Sequence, residues 1–83
     1  MFYKIKSVQP LSQYNLFVEF ENNETREYDV SRLFDEIEEF KAFATVKGLF
    51  EQVKVDKGGY GIMWNSKLDL SCNELYENGR KLQ

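Results

Sequence analysis

The first third of the chain alternates apolar and polar residues in the pattern of β-strands. Every second side chain of residues 15–21 is apolar, which is the period of a half-buried strand. Residues 2–8 mix β-branched and aromatic side chains and end before Pro10, whose missing N–H interrupts a ladder. The alternation returns in residues 25–30, after the turn-forming run at 21–24. We therefore predict three strands, of which the last two form a hairpin.

Helical spacing replaces this alternation after Ser31, which is a favourable N-cap residue. The apolar residues at positions 33, 34, 37 and 40 fall on one helical face, and acidic residues cover the opposite face. The pattern resumes over 41–47, with Phe43 and Val46 inward, and stops at Gly48, where a helix commonly ends in the left-handed conformation. Two short helices and one bent helix fit this pattern equally well.

A second hairpin and a last helix are predicted in the remainder of the chain. Residues 50–56 and 60–64 have strand character, and the run KGG between them is typical of a turn. Ser71 is followed three residues later by Glu74, which is the spacing of a reciprocal helix cap. We expect the last helix to begin there and to end at Gly79.

The element order β-β-β-α(α)-β-β-α predicts an α+β fold in a single domain covering residues 1–83. We expect a small mixed or antiparallel sheet of about five strands, in two hairpin-like groups, with two or three short helices. A chain of this mass buries only about 64% of its unfolded surface. Stability is therefore modest, and self-association into a homo-oligomer is one way to increase it.

The composition removes most catalytic chemistry. The chain has no histidine and a single cysteine, Cys72, so histidine-dependent catalysis, internal disulfides and structural zinc sites lack their side chains. We expect no enzymatic activity, no cofactor and no bound metal ion. Apolar runs such as 62–64 are far shorter than a membrane-spanning helix or a signal-peptide core. We expect a cytoplasmic protein with no membrane partner.

Negative charge is concentrated in one part of the sequence. Residues 19–39 contain nine acidic side chains and two arginines, which gives a local net charge of −7 in a chain with a net charge of −3. These acids are either the solvated outer faces of strands and a helix or a surface for a basic partner. Acidity of this degree argues against general binding of a phosphate backbone.

Several segments together resemble one bacterial family, the domain of unknown function 2442. They are DVSRL at 29–33, LFEQVKVD at 49–56, IMW at 62–64, LDL at 68–70 and LYENG at 75–79. The resemblance implies a small α+β domain without enzymatic activity, often encoded beside another short gene in an arrangement similar to toxin–antitoxin pairs. Members commonly place a Pro-Asn-Gly turn directly after the tryptophan, whereas residues 65–67 here are Asn-Ser-Lys.

Three motifs could in principle bind a ligand or react, but each has a structural explanation that we favour. The run KGGYG at 57–61 lacks the spacing of a phosphate-binding loop, so we interpret it as a β-turn. Asp35, Glu38 and Glu39 fall at helical spacing and could share a hard cation, but a solvated helix face is the favoured interpretation. Cys72 lies in the first turn of the last helix and is interpreted as a buried structural residue.

We predict a non-enzymatic module that binds another protein, as an accessory or antitoxin-like partner of a neighbouring small protein. Phe17 points away from the apolar side of its strand, so either a helix covers it or a partner does. Trp64 is either a core residue, which we favour, or a contact for a partner. The candidate partner-binding residues are Phe17, Glu19, Glu21, Glu38, Glu39, Trp64, Asn65 and Asp69. The alternative function is nucleic-acid or regulatory binding through Lys47, Lys54, Lys57 and Lys67 with Tyr60 and Trp64 as stacking groups.

Overall fold

The computed structural model describes residues 3–82, so the predicted strand start at Phe2 and the end of the tail at Gln83 lie outside the described residues. The α+β class is confirmed, but the strands are divided between two antiparallel sheets. The first sheet has the order β1-β2-β3-β7, and the second has the order β4-β5-β6. Their bounds are β1 Ile5–Pro10, β2 Asn15–Phe20, β3 Thr25–Asp29, β4 Lys54–Val55, β5 Gly61–Asn65, β6 Leu68–Ser71 and β7 Arg80–Lys81.

The alternation in β2 sets the two faces of the first sheet. Leu16, Val18 and Phe20 are fully buried, as the period-two pattern predicts. Phe17 lies on the opposite face, directly between Gln9 of β1 and its partner residue on β3. The predicted hairpin between β2 and β3 is present, and Asn23 has the left-handed conformation (φ 71°) that its turn requires.

Helix α2 (Cys72–Asn78) holds the two sheets together, because it contacts β3 of the first sheet and β5 and β6 of the second. Its N-cap is the predicted one: the Ser71 hydroxyl accepts a hydrogen bond from the Glu74 N–H at 3.1 Å. The Glu74 carboxylate does not complete the reciprocal cap. It accepts a hydrogen bond from the Tyr28 hydroxyl at 2.6 Å, which ties the helix to β3.

The amphipathic helix predicted from residue 33 to residue 40 is wrong. The chain forms two 3-10 turns there, Val30–Leu33 and Glu38–Lys41, separated by an extended residue at Ile37 (φ −129°, ψ 109°). Crowded carboxylates three and four residues apart repel one another, which disfavours a continuous helix. One short helix follows, α1 (Ala42–Thr45), and Gly48 has the predicted left-handed conformation (φ 83°).

Other elements also differ in part from the sequence prediction. Phe50–Gln52 is a 3-10 turn, so the strand predicted over 50–56 shortens to β4. The strands β6 and β7 were not predicted, because each is short and β7 contains only charged residues. Gly79 ends α2 as predicted, but its backbone is extended (φ −77°, ψ 154°) and not left-handed.

An aromatic cluster fills the core beneath the second sheet. Trp64 is 4% exposed, and its indole N–H donates to the Phe50 carbonyl oxygen at 2.9 Å, so the core interpretation of Trp64 is confirmed. The ring centroids of Phe40 and Phe43 lie 6.1 and 4.6 Å from that of Trp64. Cys72 is also buried, in agreement with a structural role. Within residues 3–82, no helix is both long enough and apolar enough to cross a membrane.

Candidate functional site

Two acidic residues of the first sheet, Glu19 and Glu27, have basic partners. On its outer face, the Lys6 ammonium lies 3.7 Å from the Glu19 carboxylate, and Arg80 of β7 pairs with Glu27 of β3. Phe17 lies next to Glu27 on this face and is half-buried. The outer face therefore has mixed charge, with one aromatic ring partly exposed between polar neighbours.

Glu24, in the turn before β3, forms an ion pair with the buried side chain of Arg26. The Arg26 side chain is 8% exposed and lies 2.9 Å from the Glu24 carboxylate, and its Nε donates to the Tyr76 carbonyl oxygen at 3.0 Å. The hydrogen bond from Arg26 lowers the pKa of the Glu24 carboxyl from its ordinary value. This contact joins β3 to the end of α2, so we assign it a structural role.

The acidic residues at the end of the 19–39 region are exposed, and most of them have no ion-pair partner among the described residues. Residues 35–39, which we call the acidic segment, have the sequence DEIEE and are all exposed. Glu38 forms an ion pair with Lys41 at 3.4 Å, but Asp35, Glu36 and Glu39 have no ion-pair partner among the described residues. Ile37 stands among them and is 37% exposed, although helical spacing predicted it to point inward.

Packing on either side holds the acidic segment at the surface. Phe34 precedes it and packs edge-on to Tyr14, with 5.3 Å between the ring centroids. Phe40 follows it, is 3% exposed and packs against Phe43 and Trp64. Since both flanking rings are anchored, the five residues between them bulge from the protein as a short loop.

An apolar groove of about 510 Å³ begins at the last residue of the acidic segment. It lies between the 39–49 stretch and the β5–β6 turn, and Val46, predicted to point inward, is 50% exposed beside it. The Asn65 side-chain oxygen accepts hydrogen bonds from the N–H groups of Lys67 (2.8 Å) and Leu68 (3.1 Å), which fixes the turn that forms one wall. The groove is lined by Glu39, Ala42, Val46, Leu49, Asn65, Ser66, Lys67 and Leu68.

Comparison with known proteins gives a family but no activity. The family model described as "Protein of unknown function (DUF2442)" matches residues 5–81, a range that contains every described strand and helix. The chain belongs to the DUF2442 family. No curated protein and no solved structure matches it. The resemblance stated from the sequence is therefore confirmed, and the function of this DUF2442 chain has to be argued from its own surface.

The fold of this DUF2442 chain separates the eight predicted partner-binding residues. Glu38 and Glu39 lie in the acidic segment, and Asn65 lines the groove together with Glu39. Phe17 and Glu19 are on the first sheet, and Glu21 is exposed in the turn that follows β2. Asp69 lines a separate hollow of about 270 Å³ with Asp56 and Tyr60, and Trp64 is in the core.

The residues proposed for nucleic-acid binding do not include two exposed aromatic rings. Trp64 is buried, so its ring offers no stacking face, while Tyr60 is 52% exposed with the Lys4 ammonium 5.1 Å from its ring centroid. Lys67 lines the apolar groove, and Lys47 lines a different hollow beside α1. Over residues 3–82, no three acidic or cysteine side chains come together in an arrangement that could hold a metal ion.

Sequence reasoning missed the exposed apolar residues of this region. Ile37 and Val46 were assigned to the core because they fall at helical spacing from Phe40 and Phe43. The available signal was the composition around Ile37, since an isoleucine enclosed by four carboxylates has few ways to reach a core. The apolar groove itself had no signal, because its walls come from segments about 20 residues apart.

Proposed function

We propose that this DUF2442 domain acts by binding a basic protein through its acidic segment. The observation that carries the proposal is that Asp35, Glu36 and Glu39 are exposed and without an ion-pair partner among the described residues. The sheet acids Glu19 and Glu27, by contrast, already have basic partners. The proposed surface is therefore narrower than the whole acidic region of the sequence.

The physical role of these carboxylates is to attract and orient the partner. A cluster of like charges raises the rate of encounter with an oppositely charged surface and disfavours acidic competitors. Charge alone gives little affinity once it is screened by salt, because exposed ion pairs contribute about 0 to 1 kcal/mol each. Ile37 supplies an apolar contact within the same loop. The first partner to test is a small basic protein encoded beside this one, as expected for an accessory or antitoxin-like module.

A capture experiment with matched variants tests the proposal. The tagged full-length protein, the Asp35→Lys/Glu36→Lys variant and the control Glu51→Lys/Glu77→Lys are used as parallel baits in the native cells. Both variants change the net charge by the same amount, and all four positions are exposed. Bound protein and nucleic acid are then quantified by mass spectrometry of the intact complexes.

The proposal predicts a stoichiometric basic protein on the wild-type and control baits that is strongly depleted on the Asp35→Lys/Glu36→Lys bait. Equal recovery on all three baits would show that the acidic segment is not the contact surface. Recovery of nucleic acid in place of protein, in equal amounts on the wild-type and Asp35→Lys/Glu36→Lys baits, would favour the alternative function, in which the native lysine residues bind nucleic acid.

A further inference from the structure

The groove beside the acidic segment has the composition of a site for an apolar side chain. Its lining includes the apolar side chains of Ala42, Val46, Leu49 and Leu68, and its volume of about 510 Å³ is within the usual range for ligand-binding clefts. Val46 is half exposed, so water contacts a β-branched side chain that an occupant would cover. The groove is therefore a place where burial yields affinity that exposed charges do not.

The walls of the groove are held by contacts on the protein side. The Asn65 side chain fixes the β5–β6 turn, and Leu68, which is 3% exposed, anchors that turn in the core. On the other wall, Phe43 and Phe50 pack at 5.4 Å between ring centroids beneath the 42–49 stretch. A groove with fixed walls can be filled without a large cost of ordering the protein.

Charge decides which occupant fits. Glu39 belongs both to the acidic segment and to the lining of the groove, so an occupant lies next to its carboxylate, and the other acids of the segment precede it by at most four residues in the chain. A second copy of this chain would bring its own acidic segment toward an acidic surface, which like-charge repulsion disfavours. A peptide segment with lysine or arginine residues beside its apolar side chain satisfies both features together.

The geometry points to a bipartite binding site in which the apolar groove takes one large aliphatic or aromatic side chain from a partner segment, while the acidic segment pairs with flanking lysine or arginine residues. This inference rests on the proposed function and adds the chemistry of the partner segment to it. Lys67 also lines the groove, and its positive charge disfavours a basic residue of the partner at that side of the site.

Selection from a display library of random twelve-residue peptides on the immobilised full-length chain tests this site. Enriched peptides are labelled, and their affinity is measured by fluorescence anisotropy against the wild type, Val46→Asn, Leu11→Asn and Asp35→Lys/Glu36→Lys. Leu11 is the matched control, because it is also an exposed aliphatic residue (39%) and does not line the groove. Circular dichroism checks that both asparagine variants are folded.

The site predicts enriched peptides with one Leu, Ile, Phe or Trp next to Lys or Arg, and an affinity about tenfold weaker for Val46→Asn than for Leu11→Asn. Peptides without an apolar anchor, an absence of enrichment, or equal affinity for the two asparagine variants would overturn the groove. If the two asparagine variants bind equally but Asp35→Lys/Glu36→Lys weakens binding, the acidic segment still binds the partner and only the groove is excluded. If Asp35→Lys/Glu36→Lys also binds normally, the proposed function and the bipartite site are both excluded. Dimerisation of the wild type that Val46→Asn abolishes would assign the groove to a second copy and overturn the bipartite site.

Discussion

The hydroxyl of Tyr28 is the clearest single-atom test of how the two sheets are held together. Its ring is fully buried on β3, and its hydroxyl donates a 2.6 Å hydrogen bond to the Glu74 carboxylate on α2. Tyr28→Phe removes the oxygen and leaves the ring packing in place. A hydrogen bond to a charged group contributes about 1.5 to 3 kcal/mol. We expect the free energy of unfolding to fall by about 2 kcal/mol and the Tm to fall by roughly 8 to 16 °C.

Chemical denaturation followed by circular dichroism measures this loss. The control is Tyr14→Phe, because Tyr14 packs against Phe34 and Phe50 and its hydroxyl makes no hydrogen bond within the described residues. The control should change stability by less than about 0.5 kcal/mol, because it keeps the ring packing and removes no hydrogen bond among the described residues. Equal stability of wild type and Tyr28→Phe would refute the idea that this contact joins the helix to the first sheet.

The same pair of proteins gives a pH dependence with a defined sign. Burial and the neighbouring Glu74 carboxylate raise the pKa of Tyr28 above its ordinary value of 10.0. A raised pKa in the folded state means that the unfolded chain loses this proton first, so stability is lost as the pH rises above about 10. The stability advantage of wild type over Tyr28→Phe should therefore be constant near neutral pH and shrink in alkaline solution. An advantage that grows above pH 10 would contradict this reasoning.

Three further predictions test other parts of the fold. Gly79→Ala should lower the free energy of unfolding by about 1 to 3 kcal/mol in a urea titration. A Cβ at this position would lie 2.9 Å from the Arg26 Cβ and 2.5 Å from a helix carbonyl oxygen. Unchanged stability would mean that the helix end moves easily. Trp64→Phe should lower the free energy of unfolding, measured by denaturation followed by circular dichroism, by about 1 to 3 kcal/mol. The reason is that the buried Phe50 carbonyl loses its 2.9 Å donor. Unchanged stability would mean that another donor replaces the indole. Since Arg26 lowers the pKa of Glu24, wild type should lose stability relative to Glu24→Gln as the pH falls below about 4.5 in acid titrations, and parallel curves would contradict that ion pair.

The first three strands, β5 and the last helix followed from local rules, whereas the loop at 35–39 did not. Alternation in β2 and the Ser71 cap each express a short-range constraint, so the sequence alone predicts them. The predicted amphipathic helix failed because its apolar spacing is also compatible with two 3-10 turns whose apolar residues, Val30, Leu33 and Phe40, reach the core. The strand β7 depends on pairing with β3, more than 50 residues earlier, and two charged residues carry no local sign of it.

The candidate site was predictable in charge but not in shape. The excess of acids in residues 19–39 was visible in the sequence, but which carboxylates are paired depends on distant residues such as Lys6 and Arg80. Exposure of Ile37 and Val46 follows from where the chain departs from a regular helix. The groove arises only when the β5–β6 turn meets the 39–49 stretch.

The central claim is that carboxylates of the acidic segment guide a basic partner to this surface. Its most direct test is the association rate constant with the captured partner, measured by stopped flow at low and high salt for wild type, Asp35→Lys/Glu36→Lys and Glu51→Lys/Glu77→Lys. Steered association falls steeply with ionic strength. We predict a fast, salt-sensitive rate for wild type and the control, and a rate for Asp35→Lys/Glu36→Lys that is at least about tenfold slower and nearly independent of salt. Equal rates and equal salt dependence for the two variants would contradict the claim.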